Sequence, residues 1–214
     1  NHKNYIKSEL QTHYLAKYIG NGLLTSNGSD WLKQRRLIQP AFHKKKLELL
    51  VEKMNNQILV DIGKIKNNQP IDVFPLMCDL AFNVVARSLF SYEDNGKIIA
   101  KLQAITEEVQ LMVINEVRQP FKKWWFYLSG RIKRTLQRSD EARTILLSLI
   151  EERRSSKEDF DDLLDMLLNA TYEDGSVMSN EQLIDEILIL FIAGYETTSN
   201  ALSFTFHLLA KHPR

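Results

Sequence analysis

Cysteine is nearly absent. Cys78 is the single one in 214 residues, so no internal disulfide can form and a reducing, cytoplasmic setting is the default. Glycine and proline are scarce, at eight and five, and strand-like alternation is rare, so helical spacing dominates. Charge of one sign is lacking as well. The net charge of +1 gives no electrostatic reason to expect a nucleic-acid partner. The longest uncharged apolar run, Ile187 to Tyr195, is about half of what a membrane span needs. No signal peptide is visible. The five histidines, His2, His13, His43, His207 and His212, form no metal-ligand spacing. There is no H-E-x-x-H, no complete G-x-G-x-x-G and no P-loop. Repeats and low-complexity tracts are missing too.

What is present is a succession of helical patterns. Asp30 reads as the cap of a short helix from Trp31 to Ile38, stopped before Pro40. Leu47, Leu50, Val51, Met54, Ile58, Leu59 and Ile62 keep amphipathic spacing, with Gly63 near the end. Residues 75–90 are apolar nearly all round, which predicts a fully buried helix. A helix over 97–117 follows. Pro120 to Tyr127, which includes Trp124-Trp-Phe-Tyr127, breaks the pattern and reads as a loop packed against its neighbours by default, with an access route or a membrane contact as the alternatives. Helices over Arg131–Arg154 and Phe160–Ala170 come next. After the turn Glu173-Asp-Gly175, Ser179 and Gln182 fit a capping box, with Glu181 suited to the first turn. The helix they open would run from about 179 to 211 and measure roughly 50 Å.

Chemistry concentrates on that long helix. The run Ala193-Gly194-Tyr195-Glu196-Thr197-Thr198 puts a carboxylate and two hydroxyls directly after a stretch that demands burial. Burying such groups without partners costs several kcal/mol, on the order of 2–7. Ala193 and Thr197 are four apart and share a stripe. Thr197 can bond back to the Ala193 carbonyl, and the small Ala193 and Gly194 open a notch beside Glu196. Such a notch could hold a diatomic or a water, with the acid and alcohol delivering protons. A Thr-rich kink with Glu196 in a surface salt bridge is the plainer alternative, and periodicity does not separate the two.

The hexapeptide resembles the distal-helix signature of the cytochrome P-450 haem-thiolate enzymes, [AG]-G-x-[DE]-T-[TS]. The wider run Leu183 to Pro213 is similar to that helix and the start of the next. Gly20-Asn-Gly-Leu-Leu-Thr-Ser-Asn-Gly-Ser-Asp-Trp31-Leu-Lys-Gln-Arg35-Arg-Leu-Ile-Gln-Pro-Ala-Phe-His43 independently resembles the segment around the family's W-x-x-x-R motif. Both occur in the family's order and at about its spacing, and the resemblance covers essentially the whole chain.

The resemblance implies a mainly α chain, the helical part of a fold that is α+β when complete. Residues 1–214 would be one partial catalytic domain, an internal fragment cut at both ends. It implies a haem b cofactor. Thr197 would hydrogen-bond oxygen held at the iron, and Glu196 would link the site to bulk protons. Ala193 and Gly194 would lie over the haem face, while Trp31 and Arg35 would contact a propionate, for which Arg offers a planar fork. The family's thiolate ligand and its E-x-x-R motif are expected beyond Arg214. Cys78 lies in an apolar helix with no glycine between Gly63 and Gly96, and is read as a core residue and not as the ligand. The implied reaction inserts one atom of O2 into a small apolar substrate, possible fatty-acid-like compounds included, with electrons from a ferredoxin or flavoprotein reductase. Lys44-Lys-Lys46 is a solvated helix start that could also meet such a partner. A membrane anchor before Asn1 stays open. Two alternatives stay open as well: a non-oxygenating isomerase or dehydratase on the same fold, and a haem-free helical scaffold.

Overall fold

A computed structural model describes residues 5–66, 69–91, 97–156, 158, 160 and 162–212. His2, Gly96, Pro213 and Arg214, which enter the sequence reading, lie outside the described residues. Among those described, the chain is helical, with one isolated bridge between Thr171 and Val177 and no strand.

A π-helical turn, Leu10–Leu15, runs into α1, Ala16–Ile19. Neither has a clear signature in the sequence. α2 spans Gly28–Ile38 and begins three residues ahead of the expected start. Asp30 is therefore not the cap. It lies in the first turn, where its charge favours the dipole, and the extended Asn27 holds the cap position. Asn27 spends its side chain on the N-terminal segment, accepting Lys7 N–H at 3.0 Å.

α3, Lys44–Ile62, starts at the lysine run as expected. Leu50 is buried, but Val51, Leu59 and Ile62 of its apolar face are exposed. α4, Val73–Phe90, is capped by Asp72, whose carboxylate accepts Phe74 N–H at 3.1 Å. It is buried along one side and not all round, because Phe74 and Asp79 face solvent. α5 is Lys97–Arg118.

Pro120 to Leu128 is not the expected loop. A short 3-10 turn, Pro120–Lys122, carries proline at its start, where the missing N–H costs nothing. It leads into α6, Lys123–Leu128. Phe126 is buried under Arg131 of the next helix, so the segment packs through this one ring, while Trp124, Tyr127 and Leu128 are exposed.

α7 is Arg131–Ser155. α8, Leu163–Asn169, is shorter than expected, because Asp162 caps it by accepting Asp165 N–H at 2.9 Å. Arg153 closes on both of these aspartates and on the Phe90 carbonyl.

The last helix, α9, covers Asn180–Lys211. Its 32 residues give about 48 Å of length. Ser179 caps it, accepting Gln182 N–H at 3.2 Å. The other half of the capping box does not form. The Gln182 side chain turns instead to the Asn21 carbonyl and to Glu186.

The core is the packing of α4 on α9. Phe191 stacks between Phe82 and Phe90, with centroids 5.0 and 4.9 Å away, and Tyr195 meets Phe82 edge-on. Such offset and edge contacts add about 0.5–1.5 kcal/mol each beyond area burial. α4 and α9 also have the length and hydropathy of membrane spans. Here each directs part of that apolar surface against the other.

Candidate active site

The α4 contact fixes which side of α9 stays open. Phe191 and Tyr195 point into the core. At 100° per residue, Ala193 and Thr197 fall on the opposite side, and both are exposed. Thr197 Oγ1 donates to the Ala193 carbonyl at 2.7 Å, the back-bond that their spacing predicts. α9 continues unbroken through it.

Gly194 faces elsewhere. A Cβ built on it would sit 2.7 Å from Val85 Cγ2 of α4. Its small size therefore serves the helix contact, and half of the expected notch is filled by valine. The open stripe is made by Ala193 and Thr197 without Gly194.

Glu196 is half-buried and forms no ion pair among the described residues, which removes the surface salt bridge. Its Oε2 accepts from Gln110 Nε2 of α5 at 3.0 Å. Gln110 Oε1 accepts the Tyr195 hydroxyl at 2.9 Å. One amide thus satisfies two neighbouring side chains of α9, and burial pushes the Tyr195 hydroxyl well above its usual range. No hydrogen bond joins Glu196 to Thr197 directly. Gln110 carried no signal in the sequence, since it is one polar residue on an amphipathic helix.

On α2, Trp31 is half-buried, with Lys7 Nζ 5.6 Å above its ring. Arg35, one turn on, is exposed and has no hydrogen bond or ion pair among the described residues. α2 is tied toward α9 from two sides. Arg36 pairs with Glu173 at 3.0 Å in the turn before α9. Residues 20–26 attach to the buried carboxylates Asp185 and Glu186.

Those carboxylates are the functional groups that the sequence hid best, being two acids at the head of an apolar run. Burial pushes Glu186 up to about 7 against the opposing effect of Leu23 N–H and Gln182.

The donor set can be tested against a haem. The uncommitted guanidinium of Arg35 beside the Trp31 indole suits a carboxylate edge. The flat, small-residue stripe of α9 suits the face of a macrocycle. An axial thiolate is not offered. Cys78 is buried on α4, 7% exposed, and burial pushes its thiol up, away from the thiolate. No cluster of His, Cys, Asp or Glu among the described residues could hold a metal ion. Among the described residues, Trp31 with Arg35 suits one edge of a haem and the Ala193–Thr197 stripe suits one face, and the buried Cys78 is not placed as a ligand to its iron.

Known proteins resemble this chain along its whole length. A family model described as cytochrome P450 matches residues 1–214. Echinocystic acid 23-monooxygenase of Saponaria officinalis is 29% identical over 94% of this chain and 42% of its own. Cyclooctat-9-en-7-ol 5-monooxygenase of Streptomyces melanosporofaciens is 31% identical over 91% of this chain and 43% of its own. Among solved structures, retinoic acid bound cyanobacterial CYP120A1 superposes with a TM-score of 0.78 at 22% identity, over 97% of this chain and 45% of that one. That likeness speaks for the fold alone. The chain spans less than half the length of the curated relatives it matches.

Proposed function

The chain belongs to the cytochrome P450 family, and from that premise we propose that it is the distal-helix part of the haem domain of a monooxygenase. The whole protein would insert one atom of O2 into an apolar organic substrate, with electrons from a ferredoxin or flavoprotein reductase. The relatives named above are monooxygenases of an acid and an alcohol, so apolar acids and alcohols, fatty acids included, are the substrates to screen first.

A bound haem b would supply the oxygen activation and transfer. The chain's own residues do the rest. Trp31 and Arg35 would hold the carboxylate edge. Ala193 leaves room above the face because it has only a methyl group. Thr197 can give its proton to an acceptor on the open side by exchanging the Ala193 carbonyl for it, and its lone pairs can accept in turn. Glu196 stands next in the chain as the ionisable group that reloads the hydroxyl, and Gln110 holds it at half-burial, between bulk water and the core. Glu196 and Thr197 are not hydrogen-bonded to each other, so this transfer needs a water or a side-chain rotation.

The observation that carries the reading is the Thr197–Ala193 back-bond on the open side of a helix whose other side is core. The test is product formed per NAD(P)H consumed in the full-length protein carrying Thr197→Ala, with Thr197→Ser alongside. Proton delivery by a positioned group contributes about 10²–10⁴-fold. Thr197→Ala should therefore lower product formation by about 10² and divert reducing equivalents to hydrogen peroxide, while Thr197→Ser keeps most of the coupling. Unchanged coupling in Thr197→Ala would sink the assigned role. Product formation with no NAD(P)H consumed would favour an isomerase or dehydratase.

A further inference from the structure

Between α1 and α2 the backbone folds around two carboxylates that belong to α9. Asn21 N–H donates to Asp185 Oδ2 at 2.7 Å, and Leu23 N–H to Glu186 Oε2 at 2.9 Å. The glycines flanking Asn21 are required by this closeness. Gly20 has a φ of +81°, and a Cβ there would lie 2.0 Å from Asp185 Oδ1. At Gly22 it would lie 2.5 Å from Ile189 Cδ1 and 3.0 Å from Glu186 Oε2. The Gly20-Asn-Gly22 spacing is thus the negative image of an Asp-Glu pair more than 160 positions later.

The same segment is bonded onward into α2. Gln34, buried and adjacent to Arg35, donates from Nε2 to the Asn21 carbonyl at 3.3 Å. Its Oε1 accepts the Ser26 hydroxyl at 3.0 Å. Gln182 of α9 reaches the same Asn21 carbonyl at 3.2 Å. A continuous polar path therefore runs from Glu186 through Gln182 and Asn21 to Gln34, and so to the helix that carries Trp31 and Arg35. Lys7 closes the segment from outside, donating to the Leu23 and Ser26 carbonyls at 2.7 and 2.6 Å. Arg143 of α7 braces Asp185 at 2.6 Å.

We propose that Asp185 and Glu186 are positioning residues: they clamp residues 20–26 to α9 and thereby hold Trp31 and Arg35 in register with the Ala193–Thr197 stripe. The haem part of this inference rests on the function proposed above, but the clamp itself does not. Neither carboxylate touches the reacting atoms. Each acts through the backbone it binds.

Protonation bears on the clamp, because Glu186 titrates near neutrality. The charged and titratable groups around it are Asp185 on its own helix, Lys7 from the N-terminal segment, Tyr172 from the turn before α9, and Arg143 of α7 through Asp185. A purely packing role for Glu186 would not make the exchange rate of a backbone amide depend on the presence of a side-chain acceptor.

The test uses the full-length, haem-loaded protein and three variants: Glu186→Gln, which keeps an acceptor, Glu186→Leu, which keeps the volume and removes it, and Asp185→Asn. Two quantities are read at pH 6: amide hydrogen exchange at Asn21 and Leu23, and the rate of haem loss to an excess of a haem-scavenging apoprotein. Losing a buried acceptor should raise exchange at Leu23 about tenfold or more in Glu186→Leu, with haem loss faster by a similar factor. Glu186→Gln should stay near wild type in both. Asp185→Asn should speed exchange at Asn21 through loss of the Arg143 pair. Unchanged exchange at Leu23 in Glu186→Leu, with far-UV circular dichroism showing a folded protein, would overturn the clamp. Faster exchange with unchanged haem loss would overturn the positioning role. A full-length wild-type protein that binds no haem would overturn the positioning role together with the proposed function, while exchange at Leu23 would still decide the clamp by itself.

Discussion

A carboxylate enclosed by backbone amides inside a protein titrates differently from one in water. Burial raises the pKa of Glu186 from 4.5 to about 7, so the folded state favours its neutral form. The stabilisation that follows is complete below the unfolded value and is lost as pH rises through the folded one. Its size is on the order of 3 kcal/mol. The melting temperature of wild type should therefore fall, relative to that of Glu186→Gln, between about pH 4.5 and 7. Parallel profiles for the two proteins would contradict this. Arg35 makes the complementary case, a charge without a partner among the described residues. Arg35→Gln in the full-length protein should weaken haem retention by about tenfold or more, the value of a charge-assisted hydrogen bond, with little change in folding stability. Equal haem loss in variant and wild type would remove Arg35 from the site. Thr197 and Ala193 were legible in the sequence because their bond is local, spanning one helical turn. Asp185, Glu186 and Gln110 were not, because what makes them special lies more than 80 positions away in the chain.

At the scale of elements, the contact of α4 with α9 decides what each face of α9 does. Gly194 allows the close approach to Val85, so the two positions should be energetically coupled. Gly194→Ala gains about 1 kcal/mol of helix propensity but must push Val85 aside, which typically costs about 1–3 kcal/mol. Chemical denaturation of full-length Gly194→Ala, Val85→Ala and the double variant should show the double variant less destabilised than the sum of the singles, by about 1 kcal/mol or more. Additivity would mean that the glycine is there for another reason. Helix α9 was readable from end to end, because its Ser179 cap and long apolar stripe are both in the sequence. α2 began earlier than read, since Asn27 takes the cap position while its side chain serves Lys7, which no local rule anticipates. α6 went unread because aromatic side chains after a proline look like a loop, and a one-to-two-turn helix has too few positions to show a period.

At the scale of the molecule, the fold class and the family were legible because two motifs, around Trp31–Arg35 and Ala193–Thr198, occur in order in an almost wholly helical pattern. What joins them was not legible: residues 20–26, bonded at one end to α9 and at the other to Gln34, carry one motif to the other. The central proposal is that these two helices frame a haem whose axial thiolate is not Cys78. The measurement that tests it most directly is the difference spectrum of the reduced, carbon monoxide-bound full-length protein. The account predicts the red-shifted Soret band of a thiolate-ligated haem, with the same band retained in Cys78→Ala because Cys78 is a core residue. Folded full-length protein that binds no haem, or a thiolate band that vanishes in Cys78→Ala, would contradict it.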